Sequence, residues 1–522
     1  MKKTTFVLIA ILFQLISTVV FSQDSLHYVT SFHGTSFADG LWKSSGVGDV
    51  NGDGLSDFIV QYVKHTELYY GSKNLKDLKP AQVFYCEDIA PIGDVNGDGF
   101  SDIMTREKDT VNPGYPNLPN IFRIYYGGKD SDTIPKFSYK FPNYFKHPYT
   151  MGRNIGDVNG DGYGDYIICS VDDWDNGTGR IFVFLGGRTL SATPALQIDL
   201  PVDSLKHRGY LFGKEIIGVG DVNNDKYQDF LVSGSFSTGS SGMAFLYFGG
   251  HTLSDKPGKI LTDPLGISGF TRAIRNAGDL NKDGRNDFII TDFAYNHVYF
   301  SPDSVVSFSH TENNDDVASG GDINGDGYYD FIIGNGEYIN KAGVMVGKAF
   351  GYYGGSVIDT MESFSLEGTN KWFYYSYNMS IVGDINGDGC AEVLIHEPLW
   401  PDYNDYKCSG RAILYSYKKL TDAVEEKNFS PEEFSLLQNY PNPFNPSTTI
   451  SYNMPYSGHV ELKVYDMLGK EVMHVFSGEK PAGIHKTNIN AASLPSGIYV
   501  CRIHVISENN SFEKSIKMTL LK

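Results

Sequence analysis

The sequence predicts an all-β protein: a ring of repeated small sheets, a β-propeller, followed by a small immunoglobulin-like β-sandwich. Three observations carry this. A nine-residue pattern, Asp-x-Asn-x-Asp-Gly-x-x-Asp, is written seven times with minor departures, each copy after a glycine and before an apolar run. The copies begin at Asp49, Asp94, Asp157, Asp221, Asp279, Asp322 and Asp384, so they lie 45, 63, 64, 58, 43 and 62 residues apart. Periods of this size fit units of several strands each. Between the copies no useful length of sequence has helical periodicity.

The chain opens with Lys2-Lys3 and an apolar stretch over residues 6–20, which reads as a secretory signal peptide spanning 1–22. Val20 and Ser22 suit the −3 and −1 positions, placing cleavage before Gln23, and no cysteine stands there to mark a lipoprotein. Elsewhere no apolar run is long enough to span a bilayer as a helix.

The repeated pattern reads as a calcium loop. In the third copy, oxygen-bearing side chains at positions 1, 3 and 5 (Asp157, Asn159, Asp161) converge if the backbone curls tightly around a point. Position 6 then needs a positive φ, which glycine adopts without penalty. Position 7 offers its carbonyl, and the carboxylate at position 9 closes the shell. An all-oxygen set without Cys or His suits calcium over zinc. Such residues also dominate ordinary turns, but one carboxylate spacing held through seven copies singles out a metal loop. The twelve-residue helix–loop–helix version would place a Glu at position 12, whereas here Tyr166-Ile167-Ile168 follows at once as a buried strand.

The expected ligand sets are Asp49, Asn51, Asp53, Leu55 and Asp57; Asp94, Asn96, Asp98, Phe100 and Asp102; and Asp157, Asn159, Asp161, Tyr163 and Asp165. The next two are Asp221, Asn223, Asp225, Tyr227 and Asp229; and Asp279, Asn281, Asp283, Arg285 and Asp287. The last two are Asp322, Asn324, Asp326, Tyr328 and Asp330; and Asp384, Asn386, Asp388, Cys390 and Glu392. In each set the fourth residue contributes its carbonyl. Lys226 replaces the position-6 glycine, at a cost of roughly 1–2 kcal/mol for a left-handed side-chain-bearing residue, so the fourth site is expected to be the weakest. Glu392 replaces the closing Asp and keeps its charge. Up to seven structural calcium ions follow.

Charge agrees with this. The formal net charge is −19, and three carboxylates in each of seven loops account for that excess. No basic stripe offers itself to nucleic acid. Five scattered cysteines (Cys86, Cys169, Cys390, Cys408, Cys501) form neither a disulfide framework nor a zinc site.

Unit three shows the strand order. One strand leads into Gly156, a second begins near Tyr166, a third covers 180–185 and ends at Gly186-Gly187, and a fourth covers 196–200. The third-strand ending recurs as Tyr125-Tyr126-Gly127-Gly128, Tyr247-Phe248-Gly249-Gly250 and Tyr352-Tyr353-Gly354-Gly355. The last unit has no obvious fourth strand, and an orphan strand-like segment at 26–32 precedes the first loop. That segment is expected to supply the missing outer strand and close the ring.

Over roughly residues 26–420 the chain resembles the FG-GAP family, whose best-known members are the integrin α-subunit headpieces. Leu211-Phe212-Gly213 followed by Gly218-Val219-Gly220-Asp221 matches the signature loosely, and the calcium loops match closely. The resemblance implies a seven-bladed propeller with a calcium loop between the first two strands of each blade.

Composition shifts after about residue 430. A proline-punctuated entry, Leu437-Gln438-Asn439-Tyr440-Pro441-Asn442-Pro443-Phe444-Asn445-Pro446, leads to Val460, Leu462 and Val464 alternating with polar residues, as in a half-buried strand. Asp466-Met467-Leu468-Gly469-Lys470 reads as a turn and Ser496-Gly497-Ile498-Tyr499-Val500 starts another strand. This describes a small β-sandwich, which an ordinary carbohydrate or adhesion module would also match. The segment also resembles the type A C-terminal sorting domain of the type IX secretion system, through the Tyr-Pro-Asn-Pro-Phe-Asn-Pro entry, Val464-Tyr465-Asp466 with Gly469, Ser496-Gly497-Ile498-Tyr499 and Lys517-Met518. That resemblance implies a Gram-negative bacterium, export through the periplasm by the type IX machinery acting on 435–522, and release or anchoring to surface lipopolysaccharide. The expected domains are then 23–420, a linker at 421–434, and 435–522.

If calcium saturates its loops, the metals are structural and a ligand would use the opposite face. All four tryptophans map there, Trp42 and Trp372 before first strands, Trp174 and Trp400 in polar loops between second and third strands. Rings beside Asp and Asn suit sugars or a protein interface, and propeller aromatics also pack between blades. Trp174 and Trp400 are the candidate ligand-binding residues. No Gly-x-Ser-x-Gly elbow, no His-Glu-x-x-His and no nucleophile–base pair is present, so no catalytic residue and no organic cofactor are assigned. A secreted binding protein for glycans or proteins is the first reading. A polysaccharide-degrading enzyme with its active site on the propeller face is the second.

Overall fold

The computed structural model describes most of the chain from Leu26 to Leu520. Outside the described residues lie 1–25, 35–39, 109–119, 130–133, 141–147, 173–178, 202–209, 237–241, 267–268, 310–315, 369–374, 399–408, 418–433, 437–438, 440–441, 443, 468, 508–510 and 521–522. The chain divides into two compact units, one over Leu26–Lys418 and one in the C-terminal part.

The first unit is a seven-bladed β-propeller. Each blade is a four-stranded antiparallel sheet whose strands follow one another in sequence, with one exception. Blade 1 is built from Leu41–Gly48, Asp57–Tyr62, Thr66–Tyr69 and Pro80–Phe84. Blade 7 takes Met379–Gly383, Glu392–Glu397 and Arg411–Tyr417 from the end of the ring and Leu26–His33 from its beginning. That last strand pairs antiparallel with the third, Leu26 opposite Tyr417 and His33 opposite Arg411, so the N-terminal segment does close the ring.

Alternation puts one face of each sheet against the preceding blade and the other against the next. The second strands, such as Asp57–Tyr62 and Asp330–Asn335, are buried at every residue, which explains their continuous apolar runs. Five blades share an aromatic stack, the residue after the calcium-type loop lying parallel to its partner on the third strand. The pairs are Phe58–Tyr69, Tyr166–Phe184, Phe230–Tyr247, Phe288–Tyr299 and Phe331–Tyr352, with ring centroids 4.8–5.3 Å apart.

Inner strands of all seven blades surround an axial cavity of about 500 Å³. Charged residues of its lining pair across blades: Lys43 with Asp88 at 2.6 Å, and Arg275 with Glu215 at 3.2 Å and Asp316 at 2.7 Å.

The second unit packs a three-stranded sheet (Ser435–Leu436, Ser447–Met454, Gly483–Asn490) and a four-stranded sheet (Glu471–Lys480, Gly458–Asp466, Gly497–Ile506, Ser511–Leu520) around one core. Val460, Leu462 and Val464 all point into it. Gly469 turns the chain at φ 79°. Phe444 is buried and donates its N–H to Thr519 O at 2.9 Å, while Asn442 Oδ1 accepts from Thr519 N at 2.7 Å. The proline-rich entry therefore covers the free edge of the last strand, where an unpaired ladder would invite another chain.

Cys86, Cys169, Cys390 and Cys501 are buried free thiols, and Cys408 lies outside the described residues. Trp42 departs from expectation: it falls within the first strand of blade 1, not before it. Trp174, Trp372 and Trp400 lie outside the described residues, as does the side chain of Trp42, so the proposed ligand face is not among the described features.

Candidate metal loops

Each repeated motif joins the first and second strands of its blade, and all seven adopt one backbone path. The glycine before the loop pairs with the position-9 residue across a break in register, as Gly48 does with Asp57. The position-1 carboxylate caps the turn from inside: its Oδ2 accepts the position-6 N–H in every copy, at 2.6–2.9 Å. In blade 1 the Asn51 Oδ1 accepts from Asp53 N at 2.9 Å and Asp53 Oδ1 accepts from Leu55 N at 2.9 Å. Side-chain oxygens of positions 1, 3 and 5 are thereby turned toward the loop interior, and the first three residue types of each expected set are brought together. Of the position-7 residues, Leu55, Phe100, Tyr163, Tyr227, Arg285, Tyr328 and Cys390, the N–H bonds to the position-5 carboxylate.

Lys226 takes φ 79°, in the left-handed region, and still donates its N–H to Asp221 Oδ2 at 2.7 Å. Position 4 carries the same demand, since Asn224 and Lys282 also have positive φ there.

The position-9 carboxylate is the buried member. Its outer oxygen accepts the position-2 N–H in every copy, at 2.6–3.0 Å. In five blades the other oxygen accepts the N–H of the glycine after the third strand: Gly71, Gly127, Gly186, Gly249 and Gly354. Burial raises these groups far above the ordinary carboxylate range, and the carboxylates at positions 5 and 1 add to the rise. Asp57 and Asp229 are pushed up to about 6, Asp102, Asp165 and Asp287 to about 7, and Asp330 and Glu392 to about 8. Burial disfavours the charged form of these carboxylates and their acidic neighbours add to that, a balance that a divalent cation beside them would reverse.

Glu392 differs in its partners. Its second oxygen accepts from Ser416 Oγ at 2.8 Å and from Asn386 Nδ2 at 2.6 Å. Asp287 differs more: its Oδ1 is buried without a partner. In blade 5 Ser301-Pro302 stands where those five blades carry glycine, and Ser301 is drawn into a hairpin with Ser304.

The loops also join blade to blade, which the motif alone did not show. At six seams the position-1 carbonyl of one blade accepts the position-8 N–H of the next, as in Ser101 N to Asp49 O at 2.9 Å and Ser56 N to Asp384 O at 3.0 Å. The position-2 carbonyl accepts an N–H from the turn after the next blade's third strand, as in Gly128 N to Val50 O and Ser72 N to Ile385 O, both at 2.7 Å. Position 7 adds a side chain. Phe100, Tyr163 and Tyr227 lie over the position-4 glycines Gly52, Gly97 and Gly160 of the preceding blade, so close that a Cβ there would meet the ring at 2.0–2.8 Å. The signal was readable as an aromatic at position 7 answering a glycine at position 4 one copy earlier.

Comparison with known proteins supports both halves. Residues 438–518 match the family model described as the secretion system C-terminal sorting domain. The chain is 30% identical to integrin alpha-PS5 of Drosophila melanogaster over 162 residues, which is 28% of this chain and 15% of that protein. It is 30% identical to human integrin alpha-IIb over 166 residues, covering 30% and 15%, and 26% identical to integrin alpha-5 of Xenopus laevis over 200 residues, covering 36% and 18%. The chain thus spans less than a fifth of the length of these relatives. The class this defines is an exported protein that pairs an integrin-like propeller with a C-terminal sorting domain. Among the described residues no helix is long and apolar enough to cross a membrane.

Proposed function

We propose that the protein is a calcium-stabilised binding module, exported by the type IX secretion system and acting at the outer cell surface or beyond it. The observation that carries this is the coupling of loop to ring: the position-1 residue whose carboxylate would hold calcium also bonds its blade to the next through its carbonyl, and its neighbour at position 2 does the same. Positions 1, 3, 5 and 9 would supply side-chain oxygens and position 7 a carbonyl, a donor set of the kind calcium takes. Metal in the loops would fix a rigid disc whose other face is free to vary. The likeness to integrin α chains supports recognition over catalysis, with a glycan or a protein as the ligand. The sorting domain would hand the chain to the export machinery, and the surface form would be held on lipopolysaccharide.

An array of glycans and matrix proteins, probed with the mature chain in calcium and again after chelation, tests this. Calcium-dependent binding to one ligand class, lost in Trp174→Ala or Trp400→Ala, is the expected result. Turnover of a polysaccharide by the calcium-loaded chain, with no ligand retained on the array, would replace it with the enzymatic reading.

A further inference from the structure

One seam of the ring lacks, among the described residues, both of the loop bonds described above. Between blades 4 and 5 neither loop bond is present among the described residues: Asn286 N does not reach Asp221 O, and Pro302 has no N–H to offer Val222. Position 7 of blade 5 is Arg285, which turns back to Asp283 at 3.0 Å instead of covering the preceding loop. At this end of the seam Lys259, on the outer strand of blade 4, reaches across to Pro302 O at 2.5 Å and to the Asp303 carboxylate.

The same seam holds a buried constellation that belongs to no calcium-type loop. Asp263 follows the outer strand of blade 4 (Lys259–Thr262). Asp292 follows the second strand of blade 5 (Asp287–Thr291), and His297 lies on its third (Asn296–Ser301). His297 Nε2 is 3.1 Å from Asp292 Oδ2 and 4.0 Å from Asp263 Oδ1, with side chains 0%, 0% and 4% exposed. One donor atom from each lies within 4.8 Å of the others. We propose that these three residues bind one first-row divalent transition-metal ion, zinc by the chemistry of the donors, and that it fastens blade 4 to blade 5.

Three features favour a metal centre over a simple ion pair. An imidazole nitrogen with two carboxylate oxygens is a zinc-type donor set, leaving a fourth position for water, and is unlike the all-oxygen shells of the loops. Bonds of about 2.0–2.1 Å in a tetrahedron separate donors by roughly 3.3 Å, a value the 3.1 and 4.0 Å spacings bracket. The outer shell is also in place. His297 Nδ1 meets Ser307 Oγ at 2.8 Å, Asp292 Oδ1 accepts from Ala294 N and Tyr295 N at 2.6 Å, and Asp263 Oδ1 accepts from Leu265 N at 2.7 Å. Such contacts orient metal ligands. Phe270 stands edge-on to the imidazole at 5.6 Å, while the turn Pro264-Leu265-Gly266 that follows Asp263 is exposed.

The test uses the mature chain in excess calcium, so that the loops are satisfied. It is equilibrated with zinc, dialysed, and its metal content measured; cobalt replaces zinc for a visible d–d spectrum. One zinc per chain and a zinc-dependent rise in melting temperature are expected. Asp263→Asn and His297→Gln should each weaken zinc by at least about 100-fold, since even outer-shell partners are worth 10–100-fold, and Ser307→Ala by less. Asp263→Asn keeps an acceptor for Leu265 N and serves if His297→Gln fails to fold. No retained zinc in the parent chain overturns the site, as does zinc held equally by the parent and Asp263→Asn. Zinc bound without any change in melting temperature overturns the fastening role.

Discussion

Phe32 packs at the closure of the ring. Phe32, on the N-terminal strand, is 8% exposed and packs edge-on against Phe58 at 5.7 Å and Tyr69 at 5.0 Å, both in blade 1. Its own strand belongs to blade 7, so it joins blade 7 to blade 1 where the first and last strands of the propeller meet. Phe32→Ala removes a buried aromatic and leaves a cavity bounded by strands that cannot collapse freely, at a cost of about 3–5 kcal/mol. At about 2.1 cal/mol/K per residue, a unit of roughly 390 residues unfolds with an entropy near 0.8 kcal/mol/K. The melting temperature should fall by about 4–6 °C. Tyr28 provides the control: it lies on the same strand and is 63% exposed, so Tyr28→Ala should stay within about 0.5 kcal/mol of the parent. Calorimetry of both variants in calcium makes the measurement. Equal melting temperatures for the two would show that the strand decorates the ring without closing it.

Three further expectations concern metal, protons and backbone. If each loop binds calcium with a dissociation constant of about 0.1 mM in about 1 mM calcium, each contributes roughly 1.4 kcal/mol and seven on the order of 10 kcal/mol. Chelation should then lower the melting temperature by about 10 °C, recovered by calcium but not by sodium, and a chelator-insensitive melt would remove calcium from the account. His396 is wholly buried, and burial lowers its pKa to about 3. Because the folded value lies below the unfolded one of about 6.5, the stability it allows is present above pH 6.5 and is lost as pH falls toward 3. The loss is about 2 kcal/mol at pH 5. His396→Gln, keeping a hydrogen-bonding group for Ser44 Oγ, which the parent ring meets at 2.7 Å, should flatten the unfolding midpoint between pH 7 and 5 in urea titrations. Lys226→Gly relieves a φ of 79° and should add roughly 1 kcal/mol, read as a higher urea midpoint at saturating calcium; a lower midpoint would mean that the lysine side chain makes a contact worth more than the strain.

What the sequence made legible, and what it did not, follows from how each contact is specified. A loop that curls around a point dictates residue type at nearly every position, so Asp49 through Asp57 announce themselves and their recurrence counts the blades. The closing strand at 26–32 was legible by elimination, because blade 7 lacked a fourth strand and an alternating segment stood spare. Contacts between blades are specified by pairs far apart in sequence, such as Gly52 beneath Phe100, and these stayed hidden until the register aligned one copy with the next. The seam between blades 4 and 5 was visible in outline: Ser301-Pro302 breaks the recurrent Gly-Gly ending. What replaces the lost bonds was not, since Asp263, Asp292 and His297 share no motif and meet only because Ile290 pairs with His297 while the end of blade 4's outer strand packs against that face. A repeat protein advertises what its copies share. Where one copy departs, as at Pro302, the missing hydrogen bonds must be made good by residues the repeat does not name, and there the structure carries information the motif cannot.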